Sequence, residues 1–411
     1  MAGIIRYAII MIVAAAGMIL SPPALKAQSM PDRPQPAMPS PTYWSTNDAR
    51  ALLDFIVHIG ADGLEPADYD PPQLQAAISG GSPVAMDTVA SGIFQRVAKD
   101  LMEGHVDRQD RIAWHISGPT ADMVAINDLM MAALSVHRVG PALSSLLPTN
   151  PEYRALKAML ARTPATDQAT VQKLRANMER WRWMPRELGE DYILINVAGF
   201  TLDLVHDGNR VARHRVIVGK QSTPTPQFST QVTGLILNPW WNVPQSIIAE
   251  SVGALVRNNP AKAKAKGYVA TWTGGRLQVR QAPGPGNSLG QIKLVMPNPY
   301  TIYVHDTPAK ALFERPVRAF SHGCIRTEHP FDLAQALLAD VRGWDRAAID
   351  ATVASRVNTK IDLPRPIPIY VGYFTADLDK AGGVVLHDDL YGRDDLVIDA
   401  LTDRAKLDEA G

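Results

Sequence analysis

The stretch Phe320-Ser-His-Gly-Cys-Ile-Arg326 contains the only cysteine of this 411-residue chain, and Tyr300-Thr-Ile-Tyr-Val-His305 precedes it. The apolar residues before His305 predict a strand that presents this histidine at its end. A thiol attacks a carbonyl carbon well only as the thiolate, and a free cysteine is mostly protonated at neutral pH. A histidine within hydrogen-bond reach can accept that proton and later return it to a leaving group. The two stretches therefore indicate nucleophilic catalysis by Cys324.

Two histidines are candidates for the base. His322 shares a face with Cys324 if the segment is extended, whereas His305 lies upstream at the end of a strand. Gly323 permits backbone conformations that aim amide N–H groups at a developing oxyanion, an effect worth about 3–4 kcal/mol per donor. Arg326 is on the same face as Cys324 in an extended segment. Its guanidinium can hold a substrate carboxylate through paired hydrogen bonds.

The same residues allow two other interpretations. A single cysteine can be a buried, inert thiol. His305, His322, Cys324 and His329 also offer the nitrogen and sulfur ligands that zinc prefers. Their spacing matches no common zinc template, and a zinc site would leave Arg326 without a role. We therefore expect neither a metal nor another cofactor.

The N-terminal region is typical of an exported protein. Arg6 precedes an apolar run over 7–20, and a short segment ending at Ala27 follows. This pattern predicts a signal peptide over 1–27, with an uncleaved membrane tether as the alternative. Residues 28–45 are rich in proline and predict an extended linker. Cysteines of exported proteins usually occur in disulfide pairs, so a lone cysteine in such a chain needs another explanation.

The remaining sequence predicts an α+β multidomain protein. Apolar residues recur at helical spacing over 46–185, which predicts an all-helical N-terminal scaffold domain. From residue 190 the period changes to two, and Asp207-Gly208 predicts a hairpin turn. Residues 190–411 therefore predict a β-rich catalytic domain. Within it, residues 249–290 lack a regular pattern, and we expect either a flap over a site or a disordered segment.

The charge balance limits the classes of partner. Lys plus Arg and Asp plus Glu each number 41, so the formal net charge is zero. A nucleic-acid partner would require a basic surface that neutralises phosphates. The composition therefore argues against nucleic-acid binding.

Several further motifs accompany the cysteine stretch: Asn177-Met-Glu-Arg-Trp-Arg-Trp183, Val216-Ile-Val-Gly219, Asn238-Pro-Trp-Trp-Asn-Val-Pro244, Pro283-Gly-Pro-Gly-Asn287 and Leu390-Tyr-Gly-Arg-Asp394. Together with the stretches around His305 and Cys324, they resemble the YkuD-type L,D-transpeptidases, and in particular the larger YcbB-like branch. The resemblance covers about residues 46–400 and is strongest over 174–330.

This resemblance implies an enzyme that cross-links peptidoglycan stem peptides in the bacterial periplasm. Cys324 would attack the peptide bond after the L-centre of meso-diaminopimelate in a tetrapeptide stem, and terminal D-alanine would leave. The side-chain amine of a second diaminopimelate would then resolve the thioester. His305 matches the general acid/base, oriented by the backbone carbonyl of Asp306, and Arg326 occupies a position where this branch usually has arginine. The positions that support the motif are Ser321, His322 and Gly323.

The resemblance also implies a capping subdomain over the cleft, formed here by residues 249–290. Trp240, Trp241 and Tyr303 would line the substrate groove. Relatives of this branch usually carry a small peptidoglycan-binding module before the helix at Asn177. The spacing in this chain leaves no room for such a module. Wall contact would then come from the scaffold, the cap or a partner.

The resolving nucleophile stays open at this point. Water in place of an amine would make the chain an L,D-carboxypeptidase or a cross-link hydrolase, and a lysine of another protein would attach that protein to the wall. A non-catalytic wall-binding protein is a further alternative. The resemblance also implies acylation of Cys324 by carbapenems.

Overall fold

The computed structural model describes residues 44–407, so the predicted signal peptide lies outside the described residues. The described part of the chain begins with helices, as expected for the scaffold. Their first turns are capped by short polar side chains, such as Ser45 and Asp122, that accept backbone N–H groups. The helices are α1 (Thr46–Val57), α2 (Pro71–Ser79), α3 (Pro83–Glu103), α4 (Met123–Ser135), α5 (Val139–Ser144), α6 (Pro151–Leu160) and α7 (Gln168–Trp183). Residues 161–167 join α6 directly to α7. None of the helices in the described part of the chain is long and apolar enough to cross a membrane.

Helix α7 is buried over most of its length. Every residue from Leu174 to Trp183 is buried, including charged ones. Glu179 accepts hydrogen bonds from the Val106 backbone N–H and the Trp183 indole, each at 2.9 Å, and it pairs with Arg182 at 2.8 Å. Because both charged groups are fully buried, the network is stable only while all of its members are present.

We expect Glu179→Ala to lower the free energy of unfolding by about 3–5 kcal/mol, because it leaves the Arg182 guanidinium buried without its carboxylate. Urea denaturation followed by circular dichroism measures this loss. Glu65→Ala is the matched control, since Glu65 also pairs with an arginine of α7, Arg175, but is 46% exposed. An exposed pair contributes about 1 kcal/mol or less. Equal losses in the two variants would contradict the expectation.

The second half of the chain forms a large mixed sheet. Its strands run in the order β1-β5-β13-β2-β3-β4-β12-β10-β9, with β11 paired to β4. The strands are β1 (Trp114–His115), β2 (Tyr192–Asn196), β3 (Thr201–His206), β4 (Asn209–Gly219), β5 (Gln227–Leu237), β9 (Ile292–Val295), β10 (Val304–His305), β11 (Ala319–Ser321), β12 (Ile325–Thr327) and β13 (Thr359–Gly372). The hairpin between β3 and β4 turns at Asp207-Gly208, as predicted. Both turn residues have positive φ, which suits the right-handed twist of the strands.

The sheet closes on itself because β9 also pairs with β5. The enclosed core contains Ile195, Val216, Leu235 and Val304. Helices α11 (Pro330–Leu337) and α12 (Arg346–Ser355) cover it with residues such as Leu333. The short strands β14 (Ala376–Leu378) and β15 (Val384–Leu386) and helix α13 (Asp394–Leu407) complete the chain. The α+β fold class is confirmed.

The strand before His305 is shorter than the alternation predicts. Thr301 has φ of 59°, and the Asn298 side-chain oxygen accepts the backbone N–H groups of Tyr300 and Ile302. Asn298 also donates to the carbonyl of Ile302 at 2.7 Å. These bonds hold the segment in a turn, because they satisfy backbone groups that a strand would need for pairing. The paired strand therefore starts only at Val304.

The expectation that residues 249–290 are irregular is wrong. The segment contains a π-helical turn (Ile248–Val252) that follows α8 (Gln245–Ile247), and then α9 (Gly253–Asn258) and α10 (Pro260–Ala265). Strands β7 (Tyr268–Thr273) and β8 (Arg276–Gln281) pair with β6 (Trp241–Asn242). Residues such as Trp241, Ile248 and Leu277 form a small core of their own. The apolar pattern did not indicate these elements, because the helices and strands of this segment have at most six residues each.

Candidate active site

Three adjacent strands place the candidate residues on one face of the sheet. His305 on β10 is in register with Arg326 on the parallel strand β12 and with Lys293 on the antiparallel strand β9. Register partners share a face, and residues two positions apart along a strand share it too. Tyr303 therefore lies beside Cys324, as the hydrogen bond from the Ile325 N–H to the Tyr303 carbonyl confirms at 3.0 Å. The opposite face packs into the sheet's core.

Cys324 follows a tight turn that Ser321 stabilises. The Ser321 hydroxyl donates to the Cys324 carbonyl at 2.5 Å and accepts the Gly323 N–H at 3.1 Å. Gly323 has φ of 108°, a conformation that a residue with a Cβ rarely adopts. The Gly323 N–H is thus already bonded to the Ser321 hydroxyl. The Cys324 N–H has no acceptor among residues 44–407, so it is the amide that a substrate oxygen can use.

Residues far away in sequence support this turn. Thr225 donates its hydroxyl to the Gly323 carbonyl at 2.8 Å and accepts the Gly219 N–H at 2.9 Å. Tyr391 donates to the Gly219 carbonyl at 2.6 Å and accepts the Thr225 N–H at 3.2 Å. The cysteine turn, the 219–225 loop and the C-terminal motif around Tyr391 are therefore one hydrogen-bonded unit. No local pattern in the sequence indicates this connection.

His305 is buried and its ring is fixed. Its Nδ1 lies 2.5 Å from the Asp306 carbonyl, and only 5% of its surface is exposed. Burial lowers the pKa of His305 to about 3, and the positive charge of Arg326 and then of Lys293 acts in the same direction. The carbonyls of Asp306 and Leu289 oppose the shift. At neutral pH the imidazole is therefore uncharged, the form in which it can accept a proton.

The carboxylate of Asp306 fixes the backbone next to His305. It accepts the Thr307 N–H at 2.6 Å and the Gln291 N–H at 2.8 Å, and it pairs with Lys310. A Cβ on Gly290 would lie 2.3 Å from this carboxylate, so only glycine fits there. The Asp306 side chain thus holds its own carbonyl where the His305 ring needs it.

Cys324 is partly buried, and its thiol lies 3.9 Å from the Thr301 carbonyl. Burial raises the pKa of the Cys324 thiol, while hydrogen bonds from Tyr303 and the charges of Lys293 and Arg326 partly offset the rise. The centre of the Tyr303 ring lies 5.6 Å from that of the His305 ring. The Lys293 ammonium lies over the face of the Tyr303 ring, 3.9 Å from its centre. This environment therefore favours the protonated thiol, which a neutral base must deprotonate before the sulfur can attack.

Lys293 is the site residue that sequence reasoning missed. It lies between Ile292 and Leu294, which both point into the core. In an alternating strand, a lysine flanked by two core residues must lie on the opposite face. In the same way, His305 follows the core residue Val304 and must lie on the outer face of its strand. The alternation therefore predicts the outer face for both Lys293 and His305, but only the register shows that they are neighbours.

His322 does not bond to the thiol. Its Nε2 lies 2.7 Å from Glu250, a residue of the π-helical turn, and Glu250 also lies 3.8 Å from Lys220. The His322 side chain thus links the cysteine turn to the inserted segment. The predicted groove aromatics lie in different places. The Trp241 indole, buried in the insertion, donates to the Tyr303 hydroxyl, whereas the Arg280 guanidinium lies 4.5 Å from the centre of the Trp240 ring.

The four residues considered as zinc ligands are not gathered together. The Nε2 of His329 lies 3.7 Å from Glu328, whereas His322 faces Glu250. Within residues 44–407, the ligand-type side chains close enough to hold an ion are those of Asp191, His206 and Asp207. Asp191 and His206 line a cavity of about 540 Å³ that does not include Cys324.

Comparison with known families agrees with this geometry. Residues 190–362 match the YkuD model, described as the L,D-transpeptidase catalytic domain, and residues 39–160 match a model described as the scaffold domain. The chain therefore contains a YkuD-type L,D-transpeptidase catalytic domain, with a helical scaffold domain before it. Its assignment to the YcbB-like branch stays a prediction.

Individual relatives are more distant. A Haemophilus influenzae protein provisionally named as an L,D-transpeptidase is 29% identical over 283 residues, which cover 64% of this chain and 57% of that protein. This chain thus spans little more than half the length of that relative. A solved L,D-transpeptidase from Mycobacterium smegmatis is 16% identical, covers 44% of this chain and 58% of its own, and has a TM-score of 0.25. The ertapenem-acylated catalytic domain of the Enterococcus faecium L,D-transpeptidase is 13% identical and has a TM-score of 0.23. The match covers 45% of this chain and 99% of that domain.

Proposed function

We propose that this protein is a periplasmic L,D-transpeptidase that joins the meso-diaminopimelate residues of two peptidoglycan stem peptides through a cysteine thioester. The observation that carries the proposal is the register of His305 on β10 with Arg326 on β12, with Cys324 immediately before β12 and within the matched catalytic domain. The run over 7–20 supports export, and cell fractionation tests it.

In the acylation step, neutral His305 takes the proton of Cys324, and the sulfur attacks the carbonyl carbon that follows the L-centre of diaminopimelate. The Cys324 N–H stabilises the oxyanion, a contribution of about 3–4 kcal/mol. The C–N bond to D-alanine breaks, and His305 returns the proton to the leaving amine. A thioester on Cys324 results.

In the second step, the side-chain amine of another diaminopimelate attacks the thioester. His305 accepts a proton from that amine, the C–S bond breaks, and the thiolate recovers a proton from His305. The products are a cross-linked dimer and the free enzyme. The Asp306 carbonyl keeps the imidazole in the tautomer that both steps use.

The test is to incubate the purified protein with disaccharide-tetrapeptides and to separate the products by mass spectrometry. We expect dimers and one free D-alanine per cross-link. Trimmed monomers without dimers would instead identify an L,D-carboxypeptidase. Cleavage of purified dimers would identify a cross-link hydrolase, and no change in any substrate would overturn the proposal.

A further inference from the structure

Lys293 and Arg326 are cations without an anionic partner in the described part of the chain. Neither side chain makes a hydrogen bond or lies within 4.0 Å of a carboxylate within residues 44–407. The Nε of Arg326 is buried and unsatisfied. Two other arginines that are withdrawn from solvent have carboxylate partners: buried Arg180 pairs with Asp394 at 2.6 Å, and half-buried Arg213 pairs with Asp203 at 2.6 Å.

Burial without a partner is costly for a cation. It lowers the pKa of both Lys293 and Arg326, and the only nearby charge that favours their protonated forms is that of Cys324 as a thiolate. Removing charge from water without compensation costs folding free energy. An anion that binds between the two cations would recover that cost.

The two cations lie on the strands on either side of His305. Lys293 and Arg326 are the register partners of His305 on its two sides, and the Lys293 ammonium leans over Tyr303, beside Cys324. A group bound between them therefore lies next to the thiol and the imidazole.

We propose that Lys293 and Arg326 together form an anion site that takes the terminal carboxylate of the donor peptide, with Lys293 as a specificity-determining residue. In the proposed reaction, that carboxylate belongs to the residue just after the bond that breaks, so this assignment rests on the proposed function. Two cations make the site selective for an acidic terminus over an amide, because an uncharged group leaves both unpaired.

Alkylation of Cys324 tests the anion site without any peptide. Iodoacetate and iodoacetamide form the same C–S bond and expel iodide, but only iodoacetate carries a carboxylate. We expect the iodoacetate-to-iodoacetamide rate ratio, normalised to a free thiol, to be about tenfold higher in the wild type than in Lys293→Met. Methionine keeps most of the apolar stem, and the lone cysteine makes the adduct unambiguous by intact mass.

Lys360→Met is the control, since Lys360 is exposed and pairs with Asp362 at 2.6 Å. We expect it to keep the wild-type ratio. Equal ratios in the wild type and Lys293→Met would overturn the anion site, whatever products the transpeptidase assay yields. Arg326→Met provides a second variant in case Lys293→Met does not fold.

Donor kinetics then test the carboxylate's identity. We expect Lys293→Met to raise the KM for the tetrapeptide about tenfold with a smaller change in kcat, and to raise the KM for a C-terminally amidated donor much less. If the alkylation ratio falls but no peptide is turned over, the anion site stands and the proposed reaction fails. If the variant affects both donors equally, Lys293 does not read the terminal carboxylate.

Discussion

Cys324→Ala is expected to abolish the formation of cross-linked dimers, with a loss of at least about 10⁴-fold, because no other thiol exists in the chain. The fold should persist. The side chain is small and partly exposed, and Ser321 bonds to the backbone carbonyl of residue 324, which the substitution keeps. Mass analysis of the muropeptides measures the loss, and circular dichroism checks the fold.

Carbapenem exposure supplies an independent readout of the same residue. We expect the wild type to gain the mass of one carbapenem per chain, and Cys324→Ala to gain none. Cys324→Ser, which keeps the shape of the side chain with a weaker nucleophile, should also fail to form dimers. If Cys324→Ala retained dimer formation, the thioester mechanism would be wrong, and a non-catalytic role for Cys324 would follow.

His305→Ala is expected to lower kcat/KM by about 10²–10⁴-fold, the usual contribution of general acid–base catalysis. His322→Ala is the matched control from the same site. Its ring contacts Glu250 at the surface, where solvent screens the interaction, so we expect a loss below about tenfold. Comparable losses in both variants would mean that His305 is not the base.

The lowered pKa of His305 also predicts a pH dependence of stability. The unfolded chain protonates this side chain near pH 6.5, whereas the folded chain resists protonation down to about pH 3. The unfolded state therefore binds more protons between these values. The contribution to stability is present in full above pH 6.5 and is lost as the pH falls towards 3.

Urea denaturation at neutral and acidic pH measures this effect. His305→Ala lacks the titrating group, so its free energy of unfolding should fall less on acidification than that of the wild type. Parallel curves for the two proteins would contradict the shifted pKa. For the same reason, the acid limb of kcat/KM for the wild type should lie below pH 6.5.

Local sequence determined several features of this protein. The Asp207-Gly208 turn and helix α4 follow from turn chemistry and from helical spacing, which depend on neighbours only. The stretches around His305 and Cys324 were sufficient to nominate Cys324 as the nucleophile and His305 or His322 as its base, because few side chains can serve in these roles, and the family resemblance favoured His305. The stretch around Cys324 was also sufficient to place Gly323 in a special backbone conformation.

Other features depend on contacts between distant segments. Lys293 becomes part of the site only through the register of β9 with β10, and the Gly323 amide is taken by Ser321 rather than left for a substrate. Helix α13 packs on α7 through residues such as Val397 and Trp183, which no local pattern indicated.

The sequence by itself therefore determined which chemical groups this protein carries and the order in which they occur. The tertiary structure alone decided which groups face one another, which of their hydrogen bonds are already used, and which charges stay unpaired. The physical reason is that register, burial and the local electric field arise from residues far apart in the chain. The neutral His305 between two unpartnered cations is the clearest product of that arrangement.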